Sequence, residues 1–300
     1  MNKKYKVTYF NKKGNYYYMN RVKKIVHSQT KWLGQGCVVV VMDTGVASHP
    51  ELEGKIWKFR DFVNGRLDMY DDNGHGTHIC GVIGGKTIGI APKCQMIVLK
   101  VLDENGNGRV ECSMQAFRWI LENQEKYNIR VVNISMGMPA HSNPEGEKYI
   151  LGAVELLWNM GITVVAAAGN RGPEEGSITV PGINENIITV GCYDKIHSGR
   201  GSVKQLIFKP DLVAPGARIS SCNAAWQAKE GKLYIAKSGT SMSTPIVTGA
   251  IADLISKESN LTNREIKKRL KESCVDLHLP ITRQGSGLLH IGKLLHSSDI

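Results

Sequence analysis

The chain has 300 residues, 42% of them apolar and 22% charged, with a formal charge of +11. That length suffices for one large α/β domain or two small ones, and no stretch approaches the roughly 18 uninterrupted apolar residues of a membrane span, so no membrane partner is expected. The charge is uneven: residues 1–42 hold nine cations (Lys3, Lys4, Lys6, Lys12, Lys13, Arg21, Lys23, Lys24 and Lys31) and no acid, leaving only +2 for the rest. No RNA- or DNA-binding motif accompanies this basic head. It therefore reads as a solvated or core-docked extension rather than a nucleic-acid arm, and no nucleic-acid partner is expected.

The head opens with Tyr5-Lys6-Val7-Thr8-Tyr9-Phe10, an alternation that can form a strand. No apolar stretch of signal-peptide type follows Lys3, Lys4 and Lys6, so a cytoplasmic location is expected. Residues 1–30 read as a basic N-terminal extension, and residues 31–300 as one domain. Cys37–Met42 (CVVVVM) is a continuous β-branched run, the mark of a strand buried on both faces. Similar runs follow at Met96–Val101, Val131–Ser135, Thr163–Ala168 and Ile187–Val190. Helix-length stretches lie near 112–126 and 147–160, with two more helices expected at about 241–257 and 263–273. Thr262-Asn263-Arg264-Glu265 offers a capping pattern for the last. This alternation predicts an α/β fold with a mostly parallel central sheet and helices on both faces. Seven cysteines, at 37, 80, 94, 112, 192, 222 and 274, form no CxxC pair and no zinc spacing. They read as reduced, buried thiols.

In a parallel sheet, function gathers where strands end at their C-termini. The CVVVVM run ends in Asp43-Thr44-Gly45, and the run near 163 leads to Gly169-Asn170. Two Gly-containing segments, Asn73-Gly74-His75-Gly76-Thr77-His78 and Ser238-Gly239-Thr240-Ser241, each lead into a helical stretch. An Asp at a strand end, a His at a helix start and a Ser at a helix start behind a Gly are the parts of an acyl-transfer site. Each part alone is common in a structural role; their combination and order carry the signal.

The chain resembles the subtilisin-like serine proteases (subtilases). The matching segments are VVVMDTGV, NGHGTHICG, NISMG at 133–137, VVAAAGN, KPDLVAPG at 209–216, SGTSMSTPIVTG at 238–249 and GSGLLHI at 285–291. Together they span about 32–293. The resemblance implies a subtilisin-like three-layer fold and a serine endopeptidase. Ser241 would be the nucleophile, His75 the general base and Asp43 the group that fixes the His75 tautomer. The Asn170 side chain and the Ser241 backbone N–H would receive the oxyanion. His78, three residues beyond His75, would be structural. Substrate, a protein or peptide, would pair as an added strand with Ser135, Met136 and Gly137, and Ala166, Ala167, Ala168 and Gly169 would form the other wall of the first specificity pocket. A limited processor of one target and a pseudoenzyme binding partner are the competing readings; intact Asp43, His75, Asn170 and Ser241 speak against the second.

Three departures stand out. Many secreted subtilisins carry a longer, Asn-containing calcium loop where this chain has only Gly84-Gly85-Lys86-Thr87-Ile88-Gly89. No cofactor or metal is expected to be required, and a calcium site is expected only in weaker form. Arg171 follows Asn170 where many relatives have Glu, which predicts neutral or apolar residues over Lys or Arg at the cleaved position. Asp71 and Asp72 either attract a basic residue to the second subsite or form the turn that favours the helix N-terminus. The short basic head gives the chain the character of the intracellular subtilisins of Gram-positive bacteria. Residues within 1–30 are expected either to lie along or near the cleft and restrain activity, or to pack elsewhere as a stabilising strand or stay disordered. Oligomeric state is not fixed by the sequence.

Overall fold

The β-branched runs become the central strands of one sheet, because side chains stiff at χ1 pack well on a pleated surface covered on both sides. The computed structural model describes residues 19–296 except Gln205 and Glu230. In chain order the elements are α1 (Met19–Ile25), β1 (Val38–Asp43), β2 (Ile56–Asp61), α2 (His75–Gly84), β3 (Gln95–Lys100), α3 (Val110–Tyr127), β4 (Ile129–Ile134), α4 (Pro144–Asn159), β5 (Thr163–Ala167), β6 (Ile188–Cys192), β7 (Leu212–Ala214), β8 (Ile219–Cys222), β9 (Tyr234–Lys237), α5 (Thr240–Lys257), α6 (Asn263–Ser273), α7 (Ile281–Gln284) and α8 (Ile291–His296). The seven-stranded sheet has the order β2-β3-β1-β4-β5-β6-β7, with every neighbouring pair parallel. Helices α3 and α4 pack on each other and on β4 and β5, while α2 and α5 pack together and span β1, β4, β5 and β6. This is the expected three-layer α/β architecture.

The strand order reverses beside β1, whose neighbours are β3 and β4. Such a switch point leaves a crevice at the carboxyl ends of the strands, and Asp43 is the last residue of β1. The capping pattern at Thr262 forms as read: its hydroxyl accepts from the Glu265 N–H at 3.2 Å, and the Glu265 carboxylate accepts from the Thr262 N–H at 2.7 Å. All seven cysteines are unpaired, six of them buried.

The antiparallel β8–β9 hairpin was not anticipated from the sequence. Nor was α1, whose buried Met19 and Val22 join the same apolar cluster as the sheet and α8. Val26 O accepts from Ile291 N at 2.8 Å, and the His27 and His290 rings stack at 4.1 Å. Residues 19–30 thus pack beside β8 and α8 and do not line the cleft described below, because their apolar side chains gain more from the core than from its polar rim. The rest of the expected inhibitory segment, including the Tyr5–Phe10 alternation, lies outside the described residues.

Candidate active site

Asp43 is fully buried at the end of β1. Its Oδ1 accepts from the Thr44 N–H at 2.7 Å and lies 2.7 Å from His75 Nδ1. His75 opens α2, and Gly76 explains how it comes so near: a Cβ there would meet the Gly45 carbonyl oxygen at 2.2 Å, so only a glycine lets the helix start against the strand end. Burial opposes a charged imidazole, but the Asp43 charge and hydrogen bond outweigh it, and the His75 pKa lies above its usual 6.5.

Asp71 locks this loop to the strand. Its carboxylate accepts from Thr44 Oγ1, from the Gly74 and Thr77 N–H groups and from Thr77 Oγ1 at 2.6–2.8 Å, and more loosely from the Asn73 N–H at 3.3 Å. Thr44 Oγ1 in turn accepts from the Gly76 N–H at 2.9 Å. Asp72 pairs at 2.8 Å with the fully buried Lys100, which also donates to the carbonyls of Thr44 and Leu102. Both acids therefore serve the turn and the helix start. These contacts favour the reading in which the two acids form the turn ahead of the helix.

Ser241 sits in the first turn of α5, behind Gly239. That glycine has φ +145°, and a Cβ on it would come within 3.1 Å of the Asn170 amide nitrogen. Pro245, four residues beyond Ser241, has no N–H to return to the Ser241 carbonyl. Asn170 is exposed in the cleft, three residues past the end of β5. Its Oδ1 accepts from the Thr240 N–H at 3.0 Å, which fixes the amide so that Nδ2 is the free donor. Sequence reasoning passed over Thr240; its place beside Ser241 in the GTS motif was the available signal.

One cleft is lined by His75, Asn170 and Ser241 together with Ser135, Met136, Gly137, Ala167, Gly169 and Arg171. Ala166 and Ala168 are buried on either side of Ala167 and stand behind the wall. The Met138 and Val180 backbones exchange hydrogen bonds just beyond Gly137. Asn133 Nδ2 donates to Ser135 Oγ at 2.9 Å and is itself held by Thr248 of α5. His78 points away: its Nε2 lies 3.0 Å from the Ile219 carbonyl, and burial pushes its pKa down to about 3, so it is neutral.

Residues 34–288 match the model of the subtilase family. The chain is a subtilase. Among its relatives, this subtilase is 35% identical to Serine protease AprX of Bacillus subtilis (strain 168) over 283 residues, 84% of this chain and 64% of AprX. It is 34% identical to Subtilisin Savinase of Lederbergia lenta over 86% of this chain and 90% of that protein. The subtilase chain thus spans somewhat under two thirds of AprX but most of Savinase. Its fold matches a crystal structure of a cold adapted subtilisin-like serine proteinase with a TM-score of 0.72 at 29% identity, covering 87% of this chain and 91% of the other.

Proposed function

We propose that this subtilase is a serine endopeptidase acting on proteins or peptides through an acyl-enzyme on Ser241. The observation that carries the reading is the 2.7 Å contact of buried Asp43 with His75 Nδ1 in a cleft that Ser241 and Asn170 share. An Nδ1–H held by a carboxylate leaves Nε2 as the base that takes the Ser241 proton and returns it to the leaving amine. The acyl part of the substrate lies along Ser135–Gly137, with Ala167 and Gly169 as the facing wall and Ala166 and Ala168 behind it. Labelling by a fluorophosphonate, lost on Ser241→Ala, tests the reading; a protein that never takes the label would refute it.

Asn170→Ala is expected to lower kcat by about 10²–10³ with little change in KM, the magnitude found for this donor in subtilisin itself. An oxyanion exists only in the transition state, so uniform binding is not touched. A raised KM at constant kcat would contradict the role.

No calcium requirement is proposed at the loop after α2. Calcium needs converging acceptors, whereas the Glu51 carboxylate is occupied by the Thr87 N–H, Thr87 Oγ1 and Tyr234 Oη at 2.5–2.7 Å. The Thr87 carbonyl accepts from Lys23 Nζ at 3.3 Å. A tight site filled to 1,000 times its Kd would add about 4 kcal/mol, a Tm gain of roughly 10 °C. Equal melting temperatures in EDTA and in millimolar calcium are therefore expected, and a gain of that size in calcium would overturn the proposal. The cytoplasm is the proposed location; unpaired cysteines suit a reducing compartment. No described helix is long and apolar enough to cross a membrane.

A further inference from the structure

A second pocket opens on the far side of the His75 loop. Asp71–Gly74 form one wall, and Asn223–Ala225, Ile235 and Lys237 the other. Asn73 lines both this pocket and the cleft, so the two are adjacent. The β8–β9 hairpin builds the outer wall, and its last residue, Lys237, precedes Ser241 by four.

Three charged side chains border the pocket, and two are committed. Asp71 is saturated by the donors of its own loop and of Thr44, and Asp72 is paired with Lys100. Lys237 differs. It is half-buried, and among the described residues no acceptor lies within hydrogen-bond or ion-pair distance of its ammonium. Burial lowers its pKa, opposed by the more distant charges of Asp71 and Asp43. A partly desolvated charge without a partner is unfavourable in the free protein and is relieved by a ligand of opposite charge.

The direction of the substrate decides which part arrives there. In the protease reading, on which this inference rests, the acyl side lies along Ser135–Gly137 and His75 delivers a proton to the leaving amine. The chain beyond the cleaved bond must then pass the His75 loop, toward this pocket. We propose that Lys237 determines specificity on the leaving-group side by pairing with an acidic side chain in the first or second residue after the cleaved bond. Lys100 offsets the charge of Asp72, whereas Asp71 keeps its charge among neutral donors and opposes the preference, so the measured ratio is the pull of Lys237 net of Asp71.

The test uses the full chain and quenched peptides that differ only by Glu, Gln or Lys at each of those two positions. At one of them, kcat/KM for Glu over Lys is expected to be about tenfold at low salt, the scale of a partly exposed charge pair, and to shrink as salt is added. Lys237→Met should bring the ratio near one, and Lys237→Glu should invert it. Ratios within one variant do not depend on its active fraction, and if Lys237→Glu does not fold, Lys237→Met carries the test. A wild-type ratio near one at both positions, or a ratio unchanged in the variants, overturns the assignment. A protein that neither takes a fluorophosphonate nor cleaves any peptide defeats the protease reading itself. One that labels and cleaves without regard to these residues defeats only the role of Lys237.

Discussion

Ser241→Ala is expected to remove turnover while leaving a folded protein of nearly unchanged stability. The hydroxyl sits on a half-buried side chain in the first turn of α5, where its loss opens no core cavity. The neighbours that set the site stay in place, because Thr240, not Ser241, holds the Asn170 amide, and Asp71 holds the His75 loop. In subtilisin itself, knocking out the nucleophile costs about 10⁶ in kcat and leaves roughly 10³–10⁴ over water from binding and the oxyanion donors. The same scale is expected here. Single-turnover kinetics with an active-site titrant, beside a thermal melt, make the comparison. Activity that survives in the variant and remains sensitive to phenylmethylsulfonyl fluoride would refute the assignment.

Asp43→Asn should follow, at about 10⁴ in kcat, the scale known for a tautomer fault in such triads. Asp43 Oδ1 already accepts from the Thr44 N–H and faces His75 Nδ1, while buried Oδ2 has no hydrogen-bond partner among the described residues. An amide oxygen at the Oδ1 position keeps both contacts but strands its NH₂ in that unpartnered place, an unfavourable burial. Turning the amide aims its NH₂ at Nδ1, so the imidazole proton moves to Nε2 and the base facing Ser241 is lost. The pH profile separates this from simple misfolding. The carboxylate is what raises the His75 pKa against burial, so the acid limb of residual activity should move to lower pH in the variant. An unmoved limb, or a loss below tenfold, would show that Asp43 does not govern His75.

What could be read from the chain was whatever local chemistry records. β1 and β3 to β6 are apolar runs with one periodicity, and Thr262 carries its own capping box, so each declares itself within a few residues. β2 does not: it is an edge strand, mostly open to solvent, whose Lys58 and Arg60 break the apolar signal. β7 is three residues long, and α1 becomes helical against a core that the rest of the chain supplies. The site shows the same division. Asp43, His75, Asn170 and Ser241 each sit in a short contiguous motif that the sequence itself displays. The roles of Thr240 and Lys100 arise from contacts across dozens of residues, and a lysine closing an apolar strand carries no local sign that all three of its donors will be used. The two readings of Asp71 and Asp72 were separated only by their partners.

The crevice at the sheet's switch point joins β1, near the start of the described chain, to a serine at the head of α5, near its end. Parallel pairing of this kind must close long loops before any contact rewards it, which makes folding slow. If the chain is the endopeptidase proposed above, an unfinished copy is extended backbone that a finished one would cut. The yield of intact molecules then becomes a race between closing the sheet and being digested, with the outcome set by concentration. Survival depends on how fast the last strands arrive and how rarely the finished sheet reopens, rather than on how deep the final energy well is.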